Sequence, residues 1–234
     1  MNIGNCVALV TGANRGLGAA FVRSLRAAGA ARIYAASRGP LAADTQGVVP
    51  VRLDVNRPEQ VQALAAELGD VNLLINNAGV AEFGELLAPE STDALRRQFE
   101  TNALGPLRLV QAFAPVLKRN GGGGVINVVS VLSWLTLPGS GAYSASKAAS
   151  WALGNALRGE LKVQGTELLA VHCAFVDTDM SRGMHGDKLD PDQLARLSLQ
   201  ALQAGHAELL ADATTRQVHA GLAGQPAVYL GAAA

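Results

Sequence analysis

A tyrosine and a lysine four positions apart, Tyr143 and Lys147, are the residues of this chain best placed to move a proton. On an α-helix this spacing puts both side chains on one face a turn apart, with the ammonium able to reach towards the phenol. A phenol titrates at about 10 in water. A positive charge a few ångströms away is expected to lower that value towards neutrality, so that the tyrosine can pass a proton at working pH. Ser130 stands where the apolar run Val125, Ile126, Val128, Val129 stops. That is the carboxyl end of an expected strand, where open α/β sheets hold their ligands. Its hydroxyl can hold a substrate oxygen while Tyr143 protonates it. Taken alone, such a Tyr and Lys pair also occurs on ordinary solvated helix faces, so the other segments have to decide.

Those segments alternate between strand and helix patterns. Residues 6–11, CVALVT, form a β-branched apolar run that suits a strand buried on both faces of a parallel sheet. The glycine-rich turn TGANRGLG, 11–18, follows at once and leads into a helix with apolar Ala20, Phe21, Leu25 and Ala28. Strand, glycine turn and helix make the first half of a dinucleotide-binding unit, although glycines at 12, 16 and 18 do not fit the GxGxxG spacing. Further strands are expected at 32–38, 48–55, 71–79, 124–129 and 167–175, with helices at 57–69, 91–119 and 142–163. The helix at 91–119 should be broken or kinked near Gly105 and Pro106. The connection between the second and third strands is too short for a crossover helix, so a loop or single turn is expected there. A helix near 212–223 and a last strand AVYL, 227–230, would complete the chain. The pattern predicts one domain over 1–234. Its fold is a Rossmann-like, doubly wound parallel sheet of about seven strands in three α/β/α layers, with order 3214567. The polar stretch 176–206 reads as a short substrate-binding segment.

Composition narrows the partners. Nineteen basic and nineteen acidic side chains give a net charge of zero, which offers no electrostatic case for a nucleic-acid or membrane surface. A small-molecule substrate is expected instead. Cys6 and Cys173 lie in apolar runs and read as reduced, buried thiols, and four scattered histidines show no metal-ligand spacing, so no metal is expected. The first apolar run, Val7 to Val10, is too short for a signal or membrane segment, which predicts a cytoplasmic protein.

In a parallel sheet the polar residues fall just past the carboxyl ends of the strands. The glycine turn, Arg38, Asp54, Asn76, Ser130 and the segment after Phe175 all point at one crevice. With these motifs in place the chain resembles the short-chain dehydrogenase/reductase family over nearly its whole length. TGANRGLG matches that family's TGxxxGxG cofactor loop, NNAG at 76–79 its structural turn, Ser130 with Tyr143 and Lys147 its serine and YxxxK, and Asn102 its helix asparagine. The resemblance implies hydride transfer between a nicotinamide cofactor and a carbonyl or alcohol carbon. Tyr143 would be the general acid in reduction and Ser130 the oxyanion positioner. Lys147 would hold the ribose and lower the tyrosine pKa, and Asn102 would hold a water in the proton relay. The cofactor would be met by Gly12, Asn14, Arg15, Gly16, Leu17 and Gly18 of the loop and by Ser37, Arg38, Asp54 and Val55 after the second and third strands. Asn77, Ala78 and Gly79, then Tyr143 and Lys147, and finally Val176 and Thr178 would complete the contacts. The resemblance also implies a homodimer or homotetramer paired through the helices at 102–119 and 142–163.

Charge argues for NADP rather than NAD. An NAD site places an acidic group at the end of the second strand, and here that end reads Ala36, Ser37, Arg38. Arg15 and Arg38 could clamp a phosphate through charge-assisted bonds, or both could be solvated loop arginines. Asp54 is equally readable as an adenine contact or a simple turn aspartate. Cys173 and Ala174 replace the family's usual Pro and Gly, which puts the nicotinamide position in question. Leu132, Trp134, Leu135, Leu137, Met180, Met184 and Phe83 are candidates for an apolar pocket. The leading reading is an NADPH-dependent reductase of ketones or aldehydes. The alternatives are a 3-ketoacyl thioester reductase, disfavoured by the lack of Arg or Lys between Arg119 and Lys147, and a non-catalytic NADP-binding regulator.

Overall fold

The computed structural model describes residues 1–39 and 47–230. Seven strands form one sheet: β1 (Val7–Thr11), β2 (Arg32–Ser37), β3 (Val48–Arg52), β4 (Leu73–Asn76), β5 (Gly123–Val128), β6 (Thr166–His172) and β7 (Glu208–Leu210). Their order is β3-β2-β1-β4-β5-β6-β7, and every pairing is parallel. This is the doubly wound order expected from the sequence. The connection between β2 and β3 lies mostly outside the described residues.

Successive side chains on a strand point to opposite faces, and the core divides accordingly. Ala8, Val10, Ile33, Leu73, Ile75, Ile126, Leu169 and Val171 pack on one face. They meet α1 (Gly16–Ala27) and α6 (Pro191–Gln203), through Phe21 and Leu25 of the first and Leu194, Leu199 and Leu202 of the second. Leu9, Tyr34, Leu74, Val125 and Leu168 pack on the other face. Their partners are α2 (Pro58–Glu67), α4 (Gly105–Arg119) and α5 (Gly141–Lys162), through Val61, Leu64, Leu109, Phe113, Leu117 and Leu161. Two shorter helices, α3 (Ser91–Phe99) and α7 (Ala213–Gly221), complete the helical set among the described residues.

Two local expectations need correction and one gains detail. AVYL is not a strand: Val228–Leu230 is a 3-10 turn whose side chains are exposed. The seventh strand is instead the three-residue ELL of β7, which pairs Glu208, Leu209 and Leu210 with Ala170, Val171 and His172. An edge strand needs only one neighbour, so three pairs suffice, and so short a run carries little apolar signal. The carboxyl half of the polar stretch 176–206 is α6, with Leu194, Ala195, Ser198, Leu199, Ala201 and Leu202 buried at helical spacing. Asp190 caps it by accepting from Gln193 N, and Pro191 sits in its first turn, where a missing N–H costs nothing. The break expected near Gly105 and Pro106 takes the form of a π-helical turn over Glu100–Leu104, directly before Gly105. Pro106 stands in the first turn of α4, where it is tolerated.

Candidate active site

The order of strands reverses between β1 and β4, and the site is built around the carboxyl ends at that switch point. Thr11 ends β1 and ties the two strands together. Its hydroxyl donates to Ile75 O and accepts from the backbone N–H groups of Asn77 and Ala78, while Asn77 Nδ2 donates back to Thr11 O at 2.9 Å. The NNAG turn is thereby fastened under the glycine loop. Gly12 has φ +66°, and a Cβ there would stand 3.0 Å from Ala78 Cα. A Cβ on Gly18 would lie 2.1 Å from Gly12 O, so the approach of α1 to β1 requires glycine. The N-cap residue of α1, Arg15, makes no side-chain cap bond, so the first-turn amides face outward with their partial positive charge. The cradle suits a pyrophosphate, as a nicotinamide dinucleotide requires.

The other predicted cofactor residues line this crevice unevenly. Gly16 faces Thr178, whose Cγ2 would be 3.2 Å from an added Cβ, so the chain after β6 reaches the glycine loop. Val176 bridges to Leu189, and Thr178 forms a capping box with Ser181. A cleft of about 390 Å³ opens here, between Gly16 and the segment from Asp177 to Lys188. A hollow of about 410 Å³ lies at the opposite end of the sheet, beside Asn72 and Asn120, away from the reactive residues. Leu17 is buried, and Asn14, Arg15 and Arg38 are exposed. Ser37 is buried, with its hydroxyl donated to Gly39 O. Asp54 Oδ1 accepts from Asn56 N, as a turn aspartate does, and Val55 packs against Gly105 at the start of α4. Arg15 pairs with Asp179, which also takes Arg182.

Ser130, Tyr143, Lys147 and Asn102 are brought together from three elements. Backbone bonds from Val129 N to Val171 O and from Val131 N to Cys173 O strap Ser130 against the end of β6. Its hydroxyl accepts from Leu132 N at 3.1 Å. Asn102 lies on the π-helical turn, a local widening of the helix by one residue that is frequent at functional sites. Its amide bonds both backbone groups of Val80 and donates to Ser146 Oγ, which donates in turn to Tyr143 O. A Cβ on Gly79 would meet Asn102 Oδ1 at 3.2 Å and Lys147 Nζ at 3.7 Å, so NNAG, the π turn and α5 converge on one point. The Phe83 ring is 6.0 Å from that of Tyr143.

The electrostatics differ from the expectation in one respect. Burial pushes the Tyr143 phenol well above its ordinary value, with the charge of Cys173 adding to the rise and hydrogen bonding to Ser130 working against it. The same burial brings Lys147 down to about 8. The Lys147 ammonium donates to Val128 O at 2.9 Å and stands 5.8 Å from the centre of the tyrosine ring. In this arrangement desolvation of the phenol sets the direction, and the Lys147 ammonium is hydrogen-bonded to a carbonyl rather than to the phenol. Tyr143 is held in the acid form. Cys173 is buried beside both groups, and its thiol is pushed up to about 12 by burial, so it is the inert cysteine expected.

Several contributors were not foreseen. Asp212 caps α7 by accepting from Thr215 N, and its other oxygen accepts from Ala174 N at 2.8 Å, which fixes the turn that replaces Pro and Gly. Among the described residues none other than glycine has positive φ, so Ala174 sits there without backbone strain. Thr11 and Ser146 act through side-chain bonds across the fold, which no local spacing encodes. Among the described residues, no helix is long and apolar enough to cross a membrane.

Comparison with known proteins agrees with this geometry. The family model for short chain dehydrogenases matches residues 6–188. A short chain dehydrogenase from Burkholderia cenocepacia J2315, solved in complex with NADP, is 37% identical, with a TM-score of 0.94 over 98% of each chain. Pig carbonyl reductase [NADPH] 2 is 33% identical over 193 residues, 80% of this chain and 78% of that protein. The 3-oxoacyl-[acyl-carrier-protein] reductase FabG of Escherichia coli is 30% identical over 200 residues, 80% of each. Bovine dehydrogenase/reductase SDR family member 7B is 32% identical over 196 residues, 76% of this chain but only 60% of that protein's length. With the site assembled from the same motifs that the family model spans, the chain belongs to the short-chain dehydrogenase/reductase family of oxidoreductases.

Proposed function

We propose that the protein reduces an uncharged ketone or aldehyde to the alcohol with NADPH, reversibly, at the Ser130, Tyr143 and Lys147 cluster. The observation that carries this reading is the convergence of that cluster with Asn102 and Gly79 beside the glycine cradle. Bound in the cradle, the reduced nicotinamide supplies a hydride. Ser130 would hold the substrate oxygen, and Tyr143, kept protonated by burial, would donate its proton to that oxygen as charge develops. Lys147 would turn from Val128 O towards the ribose hydroxyls, and Asn102 would anchor the relay that returns a proton to the phenol. Thr178, beside Gly16, and Val176 would meet the carboxamide. The cluster's integrity disfavours a binding protein without turnover.

Arg15 and Arg38 would select the phosphate of NADP. Arg15 is now paired with Asp179, but both side chains are well exposed, and such surface pairs are worth at most about 1 kcal/mol. A phosphate dianion carries more charge and can displace the carboxylate. The NADP in the Burkholderia cenocepacia relative supports this choice. The second reading, reduction of a 3-ketoacyl thioester, is favoured by the FabG relationship. Against it stand the side chains near Tyr143. Phe83, Leu86 beside Gly141 and Leu137 beside Ser140 are exposed and apolar, and the nearby Glu82 is paired with Arg97. That surface suits an apolar carbonyl compound better than an acidic carrier protein.

The test is NADPH and NADH oxidation measured against a panel of aryl and alkyl ketones, aldehydes and ketoacyl thioesters. The reading predicts turnover of ketones or aldehydes, preference for NADPH, and loss of that preference in Arg38→Asp. Equal specificity constants for the two cofactors in the wild type would contradict the arginine assignment, and selective turnover of thioesters would establish the second reading.

A further inference from the structure

Resting on the catalytic reading above, we infer that His172 is a positioning residue, which holds the Ser130 segment in its working place through Nδ1. His172 ends β6 and has no solvent exposure. The straps at Val129 and Val131 place it opposite the Ser130 backbone. The Ser130 carbonyl accepts from Ser133 N at 3.0 Å and from Ser133 Oγ at 2.5 Å, and His172 Nδ1 lies 3.3 Å from both that carbonyl and Ser133 Oγ.

The hydrogen count fixes the tautomer. Ser133 Oγ has one hydrogen, and the short contact directs it at Ser130 O, which can only accept. Both contacts of Nδ1 are then favourable only if Nδ1 carries the ring proton. Nε2 is left with its lone pair, and it is a buried atom without a hydrogen-bond partner, 3.5 Å from Glu208 Oε1. Trp151 Nε1 donates to the same carboxylate oxygen at 2.9 Å, and Nε2, 3.5 Å from it and without a hydrogen bond, is the weaker of the two proton sites. Trp134 stacks on the imidazole with centroids 3.9 Å apart and fixes its plane, and His219 packs against Trp134 at 5.1 Å. Burial brings the His172 pKa down to about 4, against the opposing pull of Glu208, so the ring stays neutral at working pH. A neutral imidazole with a committed Nδ1–H is a fixed donor behind the serine, and it lets the Ser130 hydroxyl meet the substrate without reorganisation.

The experiment compares His172→Leu, His172→Asn and His172→Gln in NADPH-dependent reduction of the best ketone from the panel, with NADPH affinity measured separately by fluorescence titration. Asn sets an amide nitrogen near where Nδ1 stands, whereas Gln sets one near Nε2. Leu and Gln should each lower kcat by about tenfold, the effect of one lost hydrogen bond on the reacting geometry, while Asn restores it. NADPH affinity should be unchanged in all three. If Leu fails to fold, the Asn and Gln pair decides alone. Equal kcat in Asn and Gln, or a loss that follows NADPH affinity, would overturn the role. A wild-type enzyme that reduces no carbonyl compound would instead remove the catalytic reading, and this role with it.

Discussion

Lys147 shows how one buried residue can serve function at the expense of stability. Its pKa is about 8 in the folded chain, against an ordinary value of 10.5. Below about pH 8 both folded and unfolded chains hold its proton, and the folded state bears the full cost of a buried ammonium. As pH rises through 8 the folded chain releases the proton while the unfolded chain keeps it, so stability from this group increases. The difference in unfolding free energy between wild type and Lys147→Met should therefore move in favour of the wild type by up to about 3 kcal/mol between pH 7 and 10. Denaturant titrations without cofactor at the two pH values measure it, and a difference independent of pH would contradict the burial argument. On the proposed mechanism reduction would need the phenol, which burial preserves well into the alkaline range, whereas alcohol oxidation would need the phenolate and should gain as pH rises. The sequence made these residues legible because their spacing is local. It did not reveal the direction of the tyrosine shift, since desolvation depends on what covers the ring and on where Lys147 turns its proton.

At the scale of elements, the strands and helices with a strong periodic signal were readable, from β1 through α5 to β6. The parts that escaped were those whose signal is short or non-local. β7 is three residues long, and in α6 the apolar spacing of Leu194, Leu199 and Leu202 is diluted by the polar residues of its exposed face. The π-helical turn was readable only as irregularity near Gly105, because an extra backbone residue in a turn has no composition of its own. Asp212 is the clearest case of a missed joint, since one carboxylate both caps α7 and holds Ala174 in the turn beside the site. Asp212→Ala should cost about 2 kcal/mol, from a lost cap and an unpaired amide together. In a chain of this size that should lower the melting temperature by about 4–8 °C. A thermal melt checks it, and an unchanged midpoint would mean that water replaces both bonds.

The whole molecule is one continuous sheet with a core on each face, and its crevice lies where the strand order reverses. We expect it to work as a homo-oligomer paired through α4 and α5. Leu107 on α4 and Leu153 on α5 remain half-buried in the single chain, apolar surface left after the sheet is covered. Light scattering at micromolar concentration should give a dimer or tetramer, and a monomer mass would rule this pairing out. The central claim, that Tyr143 completes hydride delivery to a carbonyl carbon by giving its proton to the oxygen, is tested most directly with NADPH deuterated at the transferring position. The measurement is a single turnover with a ketone substrate, comparing wild type and Tyr143→Phe. Wild type should form an alcohol with deuterium on the carbinol carbon. Tyr143→Phe should bind NADPH with unchanged affinity yet form that product at least about a hundredfold more slowly. Deuterated alcohol formed by Tyr143→Phe at the wild-type rate, or none formed by the wild type with any carbonyl compound, would contradict the account.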